Sequence, residues 1–471
     1  MVVATLIVYL VVLLGIGVWA RQRVDDSADF HLAGRRLGPI VASLSASASS
    51  SSVWTLLGMS GVAWLWGLQA VWLIPAVVSG FAINWFLVAP RLHRQSHGNQ
   101  ALTLVDFLAQ DCAPDMRRRL RLLGAALILF CFTLYVAAQF QGAGTAISSA
   151  APVETSTAIM VGAVIVVLYV FLGGFWAASA TDALQGAMML LVALILPYVA
   201  LFAVGGPAEL WAGLQALEEP GLLRIVDQPG LVMAMIFVAG LFGIGLGYPG
   251  QPHVVNRFMA MRSASEIRLA RNVALVWATL IYIGMVILGW SGRVLMPELA
   301  NHESVLLELS LSLLPAVIGG IIAGGVLAAI MSTADSQLLV ASGSVSHDIY
   351  RGEHSVRLDR LVVLILGIAA AMLALFVPAT IFDRVLFAWQ VLGNGFGPLL
   401  LVLLWRGPVA DAWRLGAVLT GAGLTILISF FPDAPGNAAE RLLPFFLSLT
   451  IAFLGWKKAV TYQERARAKD C

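Results

Sequence analysis

Residues 43–52 read Ser-Leu-Ser-Ala-Ser-Ala-Ser-Ser-Ser-Ser and lie inside a long apolar segment of the sequence. Residues 243–252 read Gly-Ile-Gly-Leu-Gly-Tyr-Pro-Gly-Gln-Pro and end a second apolar segment. Glycine removes the bias toward the helix, proline removes a backbone donor, and serine hydroxyls can bond an unwound turn. We therefore predict that both segments form interrupted helices.

The composition places these segments in a lipid bilayer. Hydrophobic residues make up 60% of the 471-residue chain and charged residues only 11%, whereas soluble domains carry about 25% charged residues. The apolar runs approach the roughly 20 residues that a helix needs to cross the hydrocarbon core. The sequence predicts an all-α integral membrane protein and excludes an outer-membrane barrel, whose strands are short and alternate.

Thirteen spans are predicted. They cover residues 2–20, 39–64, 70–88, 122–146, 159–177, 183–204, 231–248, 273–290, 313–342, 361–376, 385–405, 415–431 and 442–456. With the N-terminus outside, all but four of the 28 Lys and Arg residues fall in inner segments, as the positive-inside rule requires. We therefore predict a multi-pass protein of the plasma (inner) membrane, with a retained first helix and a cytoplasmic C-terminus.

The two interrupted segments lie five spans apart. Irregular backbone at membrane depth occurs only where it is buried in protein or lines a cavity. Interrupted helices at corresponding positions of two repeats are the best sequence pointer to a transporter binding site. Residues 39–204 and 231–405 would then be the two repeats. For either segment alone, the alternative is helix packing, because small residues let neighbouring helices approach closely.

The ninth span carries a small polar face. Ala329, Ser332 and Thr333 stand at i, i+3 and i+4 and therefore share one side of a helix. An alanine beside two hydroxyls permits close approach of another chain segment and offers hard oxygen ligands for an alkali cation. The alternative is that both hydroxyls bond back to the preceding turn, as is common in membrane helices.

Other polar residues within the spans are candidate site residues. Asp182 and Asp335 are acidic residues in apolar surroundings, where such residues are rare and usually functional. The alternative for Asp182 is an interfacial helix cap. Tyr135 and Gln139 are one turn apart and would face a central cavity or bond to a neighbouring helix. Tryptophans such as Trp54 are predicted to anchor or pack helices.

The remaining composition argues against other function classes. The seven histidines fall in loops or at span ends, and neither they nor the three cysteines have metal-ligand spacing. No pairing of a nucleophile with a base supports an enzyme, so we predict no catalytic residues and no organic cofactor. The net charge of +2 gives no indication of nucleic acid as a partner.

Four stretches resemble the sodium/solute symporter family, and within it the sodium/proline symporter branch. They are residues 33–39, 173–185, 247–259 and 329–339. The resemblance implies the five-plus-five inverted-repeat fold of the leucine-transporter type. Residues 1–38 would add a first helix and inner loop, and residues 406–471 two further helices and a basic tail. It also implies alternating access, with Na⁺ as the coupling ion and a small-molecule solute.

The resemblance further implies the site residues. The sodium ligands would be the carbonyls of Ala48, Ser51 and Ala329 and the hydroxyls of Ser332 and Thr333. Asp182 matches an aspartate near the sodium exit path. The positions tied to substrate would be Tyr135, Tyr248 and Pro252, together with Gln251, which matches an inner-gate position of sugar-carrying relatives.

Two residues depart from the proline branch. Ser50 stands where that branch typically carries an aspartate important for sodium, and our hypothesis is that Asp335 supplies the missing charge. Ile244 stands where the branch typically has a tryptophan beside the substrate. We therefore expect proline or a related amino acid as the solute, with a monocarboxylate, vitamin or sugar as the alternative. A transporter-like sensor is the alternative from another class.

Overall fold

The computed structural model describes residues 11–12, 15, 32–150, 153–172, 175–350, 356–377 and 379–467. These residues form helices joined by short turns and single-turn 3₁₀ or π segments. One isolated parallel β-bridge joins Leu37 and Met261. The helices are α1 (Pro39–Ser50), α2 (Met59–Trp66), α3 (Leu73–Ala82), α4 (Ala89–Asn99), α5 (Leu104–Ala109), α6 (Pro114–Ala150), α7 (Thr155–Leu172), α8 (Phe175–Val204), α9 (Pro207–Ala216), α10 (Gly230–Leu246), α11 (Pro252–Ala260), α12 (Ile267–Leu295), α13 (Val305–Leu313), α14 (Ala316–Gly343), α15 (Val356–Phe376), α16 (Ile381–Trp405), α17 (Asp411–Ile428) and α18 (Ala438–Arg467).

Ten helical runs in the described part of the chain are long and apolar enough to cross a membrane. The predicted number of thirteen is not confirmed by this count. One run, Trp54–Asn99, spans 46 residues and includes the end of the predicted span 39–64 and the whole of the predicted span 70–88. It bends at Gly67, whose positive φ of 59° an L side chain rarely adopts. The serine-rich α1 is only 12 residues long, and the first predicted span lies mostly outside the described residues.

The first predicted interruption is present. Helix α1 ends at Ser50, and Ser51 leaves the helical region with φ −114° and ψ 80°. The Ser51 amide donates to the Ala48 carbonyl at 3.2 Å, and helical structure resumes at Trp54. Because the helix stops here, the carbonyls of its last turn lose their usual amide partners.

The second predicted interruption is present as well. Helix α10 ends at Leu246, a 3₁₀ turn covers Tyr248–Gly250, and Gln251 is extended with φ −91° and ψ 103°. Pro252 then begins α11, where its missing N–H leaves no further unsatisfied donor. The glycine and proline residues that interrupt the apolar segment in the sequence therefore also interrupt the helix in the structure.

Helix α1 occupies the centre of the bundle. It packs against α8, α11, α12 and α14, and its side chains from Ser45 to Ser50 are all buried. A Cβ placed on Gly186 of α8 would lie 3.4 Å from that of Ala48, so small residues on both helices permit this approach. Close packing therefore brings the first break against the polar face of α14.

Candidate solute and ion site

The polar face of α14 meets the end of α1. Ser332 Oγ donates to the Ala48 carbonyl at 3.3 Å and to the Ala329 carbonyl at 3.1 Å. Thr333 Oγ1 donates to the Ser49 carbonyl at 3.2 Å, with the Ala48 carbonyl at 3.5 Å. All of these residues are buried. The back-bond from Ser332 to its own helix and the contact with α1 are therefore both present.

These oxygens form a donor set that suits an alkali cation. Carbonyl and hydroxyl oxygens are the hard ligands that such ions take. Each hydroxyl can turn its proton away and present a lone pair, so a cation can replace the hydrogen bonds that Ser332 and Thr333 now make. Ser51 lies at the same break, and its Oγ is 3.3 Å from Tyr282 Oη.

A small cavity lies between the two breaks. Its central space is about 10 Å³, which is room for about one water molecule. Three predicted site residues, Ser50, Tyr135 and Tyr248, are in its wall. The wall consists of Ser50, Trp54, Tyr135, Ile244, Tyr248, Val385, Leu386 and Trp389. A solute larger than water therefore requires these side chains to move apart.

The face of α6 predicted from spacing is directed at the first break. Tyr135 Oη donates to Ser52 Oγ at 3.2 Å, and Gln139 Oε1 accepts the Val53 amide at 3.2 Å. Both side chains are buried. Gln139 does not reach the cavity wall, and its side-chain oxygen accepts a backbone amide that the broken helix leaves without a helical partner.

The remaining candidates shape the second break. Gln251 Nε2 donates to the carbonyls of Gly247 at 3.1 Å and Trp389 at 2.8 Å. Trp389 Nε1 in turn donates to the Ile244 carbonyl at 3.1 Å, and its ring lies edge-on to Tyr248 with centroids 4.6 Å apart. Gln251 and Pro252 lie outside the cavity wall. Gln251 therefore ties the break to α16.

Asp182 and Asp335 belong to one buried charge cluster, which we define as Ser45, Asp182, Arg257, Asp335 and Ser336. Asp182 Oδ2 accepts from Ser45 Oγ at 2.7 Å and from Arg257 Nη2 at 3.0 Å. Arg257 also donates to Ser45 Oγ at 3.1 Å and to Ser336 Oγ, and Asp335 Oδ1 accepts from Ser336 Oγ at 3.1 Å. Asp182 lies well inside α8, so the helix-cap alternative is wrong.

The cluster contains two carboxyl groups and one guanidinium. The side chains of Asp182 and Arg257 are fully buried, and Asp335 is 1% exposed. Asp182 Oδ1 and Asp335 Oδ2 have no hydrogen-bond partner among the described residues. Burying an unpaired charge is costly. The cluster therefore contains one more carboxyl group than its single guanidinium can pair, and its free oxygens can accept a cation or a proton.

Comparisons with known proteins identify the family of this chain. The family model described as "Sodium:solute symporter family" matches residues 30–412. The chain belongs to the sodium:solute symporter family. This symporter is 33% identical over 455 residues to the high-affinity proline transporter PutP of Bacillus subtilis (strain 168), covering 92% of this chain and 95% of the relative. It is also 33% identical over 441 residues to the sodium/proline symporter of Escherichia coli (strain K12), covering 90% of this chain and 86% of that relative.

Solved structures of other transporters share the fold of this symporter. A Na⁺-coupled sialic acid symporter, in a substrate-bound outward-open state, superposes with a TM-score of 0.79 at 17% identity and covers 97% of both chains. MhsT in complex with L-phenylalanine superposes with a TM-score of 0.55 at 16% identity, covering 88% of this chain and 98% of that chain. At these identities the likeness shows the fold, which is the all-α leucine-transporter type.

The sequence analysis did not assign three residues of the candidate site. Arg257 has the sequence position of an inner-loop cation, yet it is fully buried. Its place in the family-like stretch 247–259 was the available signal. Trp389 and Trp54 also line the cavity. Trp54 packs as predicted, with its ring centroid 5.6 Å from that of Phe382. The position of both tryptophans on one wall depends on packing between distant helices, which no local spacing reveals.

His253 follows the second break, just beyond the predicted seventh span. It lies in the first turn of α11 and is fully buried. Its ring stands edge-on to Phe132, with centroids 5.3 Å apart, and to Tyr135 at 6.2 Å. The ring therefore packs directly beside the cavity wall.

Proposed function

We propose that this symporter couples the entry of sodium to the uptake of proline or a closely related amino acid by alternating access. The observation that carries the proposal is the contact between the Ser332 and Thr333 hydroxyls and the carbonyls of the first break. The proline transporters among its relatives support the choice of solute.

The first break provides a physical basis for coupling. Ala48 and Ser49 offer carbonyls to the ion site, while Ser50 lines the solute cavity. Ion binding would therefore fix the backbone that carries one wall of the cavity, and solute binding would fix the ion ligands in return. Such reciprocal coupling typically amounts to about 1–3 kcal/mol.

The buried charge cluster is proposed to lie on the ion pathway. It contains two carboxyl groups and one guanidinium, and it lies close to the ion site because Ser336 Oγ donates to the Ser332 carbonyl at 2.9 Å. Ser50 and Asp335 complete the proposed pathway together with Asp182. Residues 39–204 and 231–405 would form the two inverted repeats. In the predicted orientation, with the N-terminus outside, the buried charge cluster would lie toward the cytoplasm.

The cavity favours a compact and largely apolar solute. Five of its wall residues are apolar or tryptophan: Trp54, Ile244, Val385, Leu386 and Trp389. A sugar carries many hydroxyls, each of which needs a partner when it is buried. The two tyrosines and one serine in the wall offer few such partners, which supports proline over a sugar.

The deciding experiment is uptake into proteoliposomes driven by an imposed sodium gradient. We expect labelled proline to accumulate above its external concentration, and an ionophore that collapses the gradient should abolish the accumulation. Panels of labelled carboxylates, vitamins and sugars test the alternative solutes under the same gradient. A protein that binds proline yet accumulates none of these solutes would be a sensor, and the proposal would be rejected.

A further inference from the structure

A second concave site lies on the membrane-facing side of the bundle, away from both breaks. The groove has a volume of about 590 Å³, within the range of about 300–1,000 Å³ for small-molecule sites. It lies between α16, α18 and the Ile83–Val88 segment. Its wall is apolar apart from Arg406 and Thr450, and Leu401, Leu449 and Phe453 form much of it.

One end of the groove carries cations. Arg406 lies at this end, with its guanidinium 5.3 Å from the centre of the Trp456 ring. Arg91 stacks on the ring of Trp405 at 3.2 Å, and Lys457 lies 5.1 Å from the ring of Phe453. Neither Arg406 nor Arg91 forms an ion pair with any residue in the described ranges.

We propose that this groove binds an anionic phospholipid. An apolar trough suits an acyl chain, and the unpaired guanidinium groups at its end suit a phosphate-bearing headgroup. Thr450 offers no free donor to the headgroup, because its hydroxyl donates to the Phe446 carbonyl of its own helix at 2.8 Å.

The geometry favours a lipid over the transported solute. Leu87, Trp405 and Leu454 are 38%, 47% and 44% exposed, respectively, so the groove opens sideways toward the acyl chains. The predicted orientation places its cationic end at the cytoplasmic face, where anionic lipids are common. The leaflet from which the lipid binds depends on the predicted orientation. The binding of an anionic lipid to the groove does not depend on it.

The test measures retained lipid by native mass spectrometry of the full-length protein. The protein is purified in detergent and titrated with phosphatidylglycerol or, separately, with phosphatidylcholine. We expect phosphatidylglycerol to bind more tightly. Arg406→Gln should weaken its binding about fivefold, since a cation near anionic lipid contributes that order of affinity. Thr450→Trp, which fills the groove from α18, should abolish the binding of either lipid in the groove.

Arg360→Gln is the matched control. Arg360 is exposed, is predicted to lie at the same membrane face and also stacks on an aromatic ring, Phe171, at 6.0 Å. The Arg360→Gln variant should bind phosphatidylglycerol as tightly as the wild type does. Equal losses in Arg406→Gln and Arg360→Gln, or wild-type binding by Thr450→Trp, would overturn the proposal. Sodium-driven uptake by each variant shows that it is folded.

Discussion

At the residue scale, the two hydroxyls of α14 carry the proposed ion site. Replacing Ser332 or Thr333 by alanine removes an oxygen from the set that faces the first break. We expect the sodium concentration for half-maximal uptake to rise about tenfold, because a lost polar partner costs roughly 1–3 kcal/mol. The measurement is initial uptake rate against sodium concentration at fixed solute.

Ser342→Ala is the control for these variants. Ser342 is a buried serine on the same helix whose hydroxyl donates to the Leu339 carbonyl of that helix, at 2.9 Å. Its sodium dependence should match that of the wild type. If Ser332→Ala and Thr333→Ala also keep the wild-type sodium requirement, the ion site lies elsewhere.

Ser50 stands where the proline branch typically carries an aspartate. Our hypothesis is that Asp335 supplies the missing negative charge. Asp335→Asn keeps the shape of the side chain and removes its charge. We expect a higher sodium requirement with little loss of folded protein, because an amide oxygen can still accept from Ser336. An unchanged sodium dependence of uptake rejects the hypothesis.

Arg257 is the one cation of the buried charge cluster. Arg257→Gln leaves two carboxyl groups without that cation, and breaking a buried pair costs about 3–5 kcal/mol. We expect a lower thermal unfolding temperature in detergent, partly restored in the double variant with Asp182→Asn. Arg262→Gln, at an ion pair on the surface, should have little effect. An unfolding temperature of Arg257→Gln equal to that of Arg262→Gln would contradict the role of the pair.

At the element scale, the second break depends on close contact with α16. A Cβ on Gly250 would lie 2.4 Å from the Leu392 carbonyl oxygen and 2.7 Å from Gly393 Cα. These are backbone atoms that cannot move without shifting the helix. We expect Gly250→Ala to abolish uptake, as measured in proteoliposomes at saturating sodium.

Gly423→Ala provides the comparison within another helix. Gly423 lies in α17, and none of the described atoms outside its own turn comes within 4 Å of the position that a Cβ would take there. The substitution should leave uptake unchanged, since alanine favours helix over glycine. Normal transport by Gly250→Ala would mean that the break tolerates separation from α16.

At the scale of the whole molecule, the orientation remains a prediction that cysteine chemistry can test. Cys112 and Cys131 are buried, and burial raises the pKa of the Cys112 thiol to about 11. That thiol is therefore protonated and poorly reactive at neutral pH. A membrane-impermeant maleimide should label Cys471 only after the cells are permeabilised, and Cys471→Ser should remove the label. Labelling of intact cells would reverse the predicted orientation.

The class of fold and the positions of both breaks could be predicted from the amino-acid sequence. Apolar runs near the length of a span, interrupted by serine at 43–52 and by glycine and proline at 243–252, allow few other structures in a bilayer. The i, i+3, i+4 spacing also identified the polar face of α14, because helix geometry is local. Residue spacing within α6 likewise placed Tyr135 and Gln139 on one face.

Which side chains contact each other across the bundle could be read only from the packed helices. Arg257 looked like a loop cation, yet the packing of α11 against α1 buries it completely. Contacts across more than 70 residues, such as Arg257 with Asp182, depend on how whole helices pack. Periodicity describes one helix at a time, and the arrangement between helices follows from close packing of side chains that are distant in the sequence.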